Sequence, residues 1–271
     1  MSCCETKNLL LNCLSAEDIS YVRPRLERVP LDEGHVIVGR GERITFVCFP
    51  ECGVTSIADV LSDGTRVEVA LIGREGMTNS QLLLGCEYAD HEAVVQVGGG
   101  SSLRLAASDL LALCSRSPAA KTLFLRFVHA LTVQSSRTLA SNTIHSAPMR
   151  LSRWLLMCHD RLHGDEIRLC HKHIASMLGV RRATVTDSLH ILEGEGALNS
   201  RRGRIIVRNR ERLEALAGDA YGFPEEQYSR RIAPFGKTAH LQVSTAVGFQ
   251  ASVAKQASNG ATHVSPSSTV R

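Results

Sequence analysis

With 271 residues, of which 44% are hydrophobic and 21% charged, the chain can bury one large core or two smaller ones. No run approaches the ~18 uninterrupted apolar residues of a membrane span, and Met1 to Lys7 lacks both a basic start and an apolar core, so neither membrane insertion nor secretion is expected. Nine cysteines, an odd number without a regular framework, suit a reducing cytoplasm better than a disulfide scaffold, and a net charge of +4 decides little until it is located.

Residues up to about Leu14 read as a lead-in. Ser15-Ala16-Glu17-Asp18 then has the form of a helix start, with Ser15 as the cap and acids in the first turn. From Glu27 to Leu105 the pattern shortens. Val36, Val38, Phe46, Cys48, Val67, Val69, Leu71, Val95, Val97, Leu103 and Leu105 sit in brief alternating runs, separated by turns such as Arg40-Gly41 and Asp63-Gly64. Many short, evenly spaced strands predict a small β-barrel or jelly roll, here taken as a domain over 15–116. Gly98-Gly99-Gly100 lacks the Lys-Ser/Thr of a phosphate loop and is expected to be a hairpin turn.

Ser117-Pro118 starts a long helix, expected over 117–144. Leu123, Phe127 and Ala130 mark one face, and Phe124, Val128, Leu131, Ser135 and Thr138 mark a neighbouring one. Two apolar faces imply two partners, the helix's own barrel and a second copy of the chain, unless the whole helix packs inside a monomer. On the dimer reading Phe124, Phe127, Val128, Leu131, Ser135 and Thr138 are the candidate contacts. Ser146-Ala147-Pro148 breaks the helix, and a shorter one follows with Leu151, Leu155, Cys158 and Leu162 on one stripe.

The charge is located here. Residues 1–142 carry 13 Lys and Arg against 16 Asp and Glu, whereas residues 143–215 carry 13 against 8, a net of +5 suited to a polyanion. Within that segment, Cys170 to Leu192 has the anatomy of a helix-turn-helix. Its first helix runs from about His171 to Leu178, Gly179 supplies the turn, and Val185, Leu189 and Leu192 recur at i, i+4, i+7 and face a core. That leaves Arg181, Arg182, Ala183, Thr184, Thr186, Asp187 and His190 on or near the outward side, a composition that can enter the major groove of double-stranded DNA. Ala197 to Ser200 and Ile205 to Val207 read as two short strands, joined by a tight turn carrying Arg201, Arg202 and Arg204, which is a wing placed to meet phosphates. His171 and His173, at the start of the first helix, are further candidates for backbone phosphates. The winged domain is expected over 145–217, and the chain over 218–271, poor in large apolar residues, is expected to be a disordered tail.

The series Leu169 to Val185, with Leu189, Leu192, Glu195-Gly196, Arg202-Gly203 and Ile205, resembles the DNA-binding half of the Crp/Fnr regulators. The layout from Leu9 to Leu216 is similar as well. The resemblance implies an α+β chain in which a cyclic-nucleotide-binding-like jelly roll, a dimerisation helix and a winged helix-turn-helix follow in order. It further implies a homodimeric, cytoplasmic, sequence-specific transcription regulator whose partners are DNA, a second copy of the chain and RNA polymerase. Relatives that bind cyclic AMP hold it with a Gly-Glu pair and an Arg followed by Ser or Thr. The first pair falls near Gly73-Arg74-Glu75-Gly76-Met77, and the phosphate position at His91-Glu92-Ala93 lacks the arginine, so cyclic AMP is not expected as a ligand. Cys3, Cys4 and Cys13 lack the spacing of an iron–sulfur site. Ala183 and Asp187 stand where many relatives carry Glu and a second Arg, which predicts a different target sequence.

Two other readings remain open to the sequence. A metal-dependent β-barrel enzyme needs clustered histidines on strands, and the barrel offers only His35 and His91, while Cys170-His171-Lys172-His173 lacks a fourth ligand at suitable spacing. No catalytic or metal-binding residues are therefore assigned. A winged-helix protein-interaction module would present a less basic, more apolar helix.

Overall fold

A computed structural model describes residues 6–237. Two short helices open the chain, α1 (Leu9–Asn12) and α2 (Ala16–Val22), and the Ser15 hydroxyl caps α2 by accepting from the Asp18 amide, as the sequence predicts. Seven strands follow: β1 (Glu27–Leu31), β2 (Val36–Val38), β3 (Phe46–Pro50), β4 (Val54–Val60), β5 (Arg66–Ile72), β6 (Glu92–Val97) and β7 (Gly100–Ala106). They form two antiparallel sheets, ordered β1-β7-β3 and β2-β6-β4-β5, so the domain is a two-sheet jelly roll. Leu31, Val47, Phe49 and Leu105 from the first sheet and Ile72, Ala93 and Val95 from the second share one buried cluster between them. The triple glycine does not close a hairpin. β6 and β7 lie in different sheets, and the glycines carry the chain across the corner between them.

After α3 (Ala107–Arg116), the Ser117 hydroxyl caps α4 (Pro118–Ile144), with Pro118 at the first turn where a missing N–H costs nothing. α4 does not divide its faces as its periodicity suggests. Phe124 and Phe127 are 0% and 2% exposed in the chain's own core, and Leu131 packs against the same cluster. Thr138 accepts from the Arg153 guanidinium at 3.0 Å. Of the expected dimer contacts, Phe124 and Phe127 are therefore buried within one chain, whereas Val128, Leu131, Ser135 and Thr138 stay part-exposed.

The winged half contains α5 (Ala147–Arg161), β8 (Glu166–Ile167), α6 (His171–Leu178), α7 (Arg182–Gly194), β9 (Leu198–Arg201), β10 (Arg204–Val207) and α8 (Arg210–Ala217). β8 adds a third strand to the expected wing pair, in the order β8-β10-β9. α5 was expected to be amphipathic, yet every residue from Leu151 to Arg161 is buried. One side meets the winged core, and another meets Val54, Leu71 and Val97 of the jelly roll, which belong to the same apolar cluster.

The expected tail is corrected in its first part. Residues Phe223–Arg231 form a helix, α9, that packs along α4, and Tyr228 and Phe235 are 4% and 6% exposed within the jelly-roll core. Its start was marked in the sequence by Pro224 in the first turn and Glu225 and Glu226 behind it, with Arg230 and Arg231 in the last turn. Low overall apolar content concealed it, because two large anchors, Tyr228 and Phe235, do most of the packing. The rest of that tail lies outside the described residues.

Buried polar contacts fix the two halves against each other. Arg161 and Glu75, 1% and 4% exposed, meet at 2.7 Å. The Gln134 amide accepts from the Leu71 N–H at 2.7 Å and donates to its carbonyl at 3.1 Å, closing the end of β5 against α4. Glu68 accepts from the Trp154 indole and the Ser56 hydroxyl, each at 2.8 Å. Burial pushes its carboxyl up to about 7, against the opposing pull of those two donors and of Arg153 and Arg161.

Two outcomes follow from this packing. A chain ending at Gly218 loses Tyr228 and Phe235, and large buried aromatics are worth roughly 3–5 kcal/mol each when truncated. Its thermal midpoint, followed by circular dichroism, should fall by at least ~5 °C; melting together with the full chain would show that α9 is not part of the core. Glu68 holds its proton more tightly folded than unfolded. Its contribution to stability should thus be full below the unfolded value of 4.5 and be lost as pH rises through about 7, by about 3 kcal/mol at most. In urea titrations between pH 4.5 and 7.5 the native chain should lose stability relative to Glu68→Gln as pH rises, and equal slopes in both would refute the assignment.

Candidate nucleic-acid interface

The turn between α6 and α7 depends on one residue. Gly179 ends α6 at φ +62°, a left-handed conformation in which a side chain would be strained, and the Val180 N–H then donates back to the Ala175 carbonyl at 3.0 Å. The chain leaves this turn at Arg181 and enters α7 at Arg182. Val185, Leu189 and Leu192, all at most 1% exposed, hold α7 on the winged core. Their burial fixes the outward side: Arg181, Arg182, Ala183, Asp187 and His190 are solvent-facing or half-buried at its rim, with Thr184 and Thr186 alongside them.

The wing comes to the same side. β9 and β10 pair from Arg201↔Arg204 to Leu198↔Val207, with Arg202 and Gly203 at the tip, and Arg201, Arg202 and Arg204 exposed. The Glu193 carboxylate accepts from the Ser200 N–H at 2.5 Å and ties the wing to α7. Sequence reasoning missed Glu193. Its only signal is an acid one residue before the helix ends, which helix rules alone do not favour. Between helix and wing lies a cleft of about 380 Å³, whose walls bring together Arg182, Thr186, His190, Arg201 and Arg202.

The two candidate histidines separate. His171 stands in the cleft, its Nδ1 3.2 Å from the Thr186 hydroxyl. Partial burial, with Arg182 and His190 nearby, lowers its pKa, so near neutral pH it offers a hydrogen bond rather than a charge. His173 lies on the other side of α6, 3.8 Å from Glu33 of the jelly roll, and is corrected from a DNA contact to a residue of the domain seam. Two residues of helix rotate a side chain by roughly 200°, so a histidine two positions after His171 must face away from it.

Chemically, the cleft offers cationic forks at two heights. Arg182 projects from the first turn of α7, where a helix in the major groove reaches base edges, and the wing arginines sit at its margin, where phosphates lie. Behind this surface Asp160, fully buried, receives Arg210 at 2.8 Å and the Tyr221 hydroxyl at 2.6 Å, which pins α8 to α5 and closes the domain.

The site expected for a cyclic nucleotide is differently arranged. Glu75 is engaged by Arg161, and its carboxylate also accepts from the Gly73 N–H at 3.1 Å. A Cβ on Gly76 would lie 2.2 Å from the Phe127 ring, and one on Gly73 would lie 2.6 Å from the Arg161 stem. The space left among Glu75, Phe127, Arg161 and Phe235 is about 20 Å³. Among the described residues no group of three or more His, Cys, Asp or Glu is placed to hold a metal ion; Cys3 and Cys4 lie outside them.

Residues 149–216 match the Crp-like helix-turn-helix domain. The chain is similar in fold to a CRP-family transcriptional regulator of Thermus thermophilus, at 19% identity and a TM-score of 0.58, covering 71% of this chain and 96% of the other. FixK2 of Bradyrhizobium japonicum is similar at 20% identity and 0.60, covering 71% and 98%. The c-di-GMP-responsive global regulator CLP of Xanthomonas campestris is similar at 13% and 0.57, covering 71% and 99%. Among curated proteins none matches this chain.

The placement of the arginines predicts two different losses. Arg182→Ala should cost about 1–3 kcal/mol on the preferred duplex and relax preference at the base pair that it contacts. Arg204→Ala should weaken all duplexes alike and flatten the salt dependence. Binding titrations across single-base variants separate the two, and a uniform loss for Arg182→Ala would make that residue a phosphate clamp.

Proposed function

We propose that this chain, a DNA-binding transcriptional regulator of the Crp/Fnr type, binds a near-palindromic site as a homodimer and does so without cyclic AMP or a metal cofactor. The observation that carries the reading is the convergence of Arg182, Arg201 and Arg202 on one cleft between a helix and a wing.

Dimerisation is supported by what α4 leaves uncovered. Leu125, Val128, Thr132, Ser135, Leu139 and Asn142 recur at alternating steps of three and four, the spacing of a coiled-coil seam, and all are part- or fully exposed. Leu139 and Ile144, 72% and 69% exposed, are apolar side chains with no reason to face water on a lone helix. The small Thr132 and Ser135 at the seam's middle allow two such helices to approach closely. This seam keeps Val128 and Ser135 of the face read from the sequence, whose phenylalanines are taken up by the jelly roll. Independence from cyclic AMP is supported by the engagement of Glu75 with Arg161 and by the acid at Glu92, which grips Arg66 at 2.6 Å.

Fluorescence titration of a duplex with half-site centres ~10–11 bp apart tests these points together. Two chains should bind per duplex, millimolar cyclic AMP should leave the affinity unchanged, and Leu139→Asp should weaken binding roughly tenfold while yielding monomers in light scattering. Full affinity with one chain per duplex, or tightening by cyclic AMP, would overturn the corresponding part.

A further inference from the structure

The jelly roll and the first helix of the helix-turn-helix do not meet flush. Between the outer face of β2 and β6 and the exposed side of α6 lies a cavity of about 370 Å³, within the range of small-molecule sites. One wall is apolar: Val36, 42% exposed, with Val94 and Met177. Gln96 lines it too. The residue is 7% exposed, and its amide makes no hydrogen bond to another described side chain or backbone group, which leaves it available to an occupant of the cavity.

The charges of the cavity are of two kinds. Arg66 and Glu92 neutralise each other through a two-point contact at 2.6 and 3.1 Å. Lys172 has no ion-pair partner among the described residues, and Glu33 has only the His173 ring at 3.8 Å. One exposed cation and one exposed anion thus stand without a close ion-pair partner of Lys, Arg, Asp or Glu type among the described residues, on opposite domains, beside an apolar wall and the Gln96 amide.

We propose that this cavity binds a small zwitterion with an apolar body, the chemistry of a hydrophobic amino acid. Lys172 takes the carboxylate, Glu33 the ammonium, Gln96 a further hydrogen bond, and Val36, Val94 and Met177 the side chain. The occupant would touch both the jelly roll and α6, the helix that positions α7.

Calorimetry of the full chain with L-leucine, L-methionine and L-phenylalanine tests the site without DNA. The expected result is saturable binding of at least one of them, one per chain. For a leucine-like ligand, 4-methylpentanoate, which lacks the ammonium, and isoamylamine, which lacks the carboxylate, should bind at least about tenfold more weakly. Lys172→Glu, at an exposed position, and Gln96→Leu should each cost about as much; if Gln96→Leu does not fold, Lys172→Glu suffices. Absence of binding by all three amino acids, equal binding of the truncated analogues, or unchanged binding by Lys172→Glu would overturn the proposal.

Discussion

The arrangement of this protein depends on one buried ion pair. A guanidinium and a carboxylate taken out of water each lose several kcal/mol of solvation, and the loss is offset only if every remaining polar group is met. Arg161 meets Glu75 and also donates to the carbonyls of Met157 and Leu71. Glu75 in turn receives the Gly73 N–H, and its own carbonyl accepts from the Tyr228 hydroxyl at 2.6 Å. Three elements far apart in sequence are thereby held at one point: the end of β5, the end of α5 and the middle of α9. Any rotation of the winged half away from the jelly roll would strand a charge in an apolar seam.

That constraint decides what the long helix can do. Since α9 packs along one flank of α4 and the jelly roll covers another, the stripe through Leu125, Thr132 and Leu139 stays part- or fully exposed. The helix is thus a spacer packed on its own chain along the side that carries Phe124, Phe127 and Gln134 and open on the other. A displacement of α4 would press directly on Gln134 and Leu71, and through them on the sheet that carries α5.

A fold hosts many functions, so the jelly roll by itself names no ligand. Here the glycine-rich stretch after β5 has been given over to internal packing. The available space lies instead on the outside of the sheet, against α6. A pocket there is made by two domains rather than by one, with Glu33 on one wall and Lys172 on the other.

Much of the candidate interface was determined by the sequence alone. The i, i+4, i+7 spacing of Val185, Leu189 and Leu192 dictates which side of α7 is buried, Gly179 supplies a turn that other residues resist, and an Arg-rich turn between two short strands can only be a basic tip. Ser15 and Ser117 marked their helices because capping is a contact between residues three apart. Only the tertiary structure decided the rest. Arg161 and Glu75 are 86 residues apart, and no local periodicity reports that they meet. The face of α4 that stays free, the turn of His173 toward Glu33, and the docking of α9 all depend on which distant surface arrives to cover a given side chain. Local rules fix how a segment coils and which stripe is apolar; they leave open which partner buries it, since burial is a property of the assembled whole.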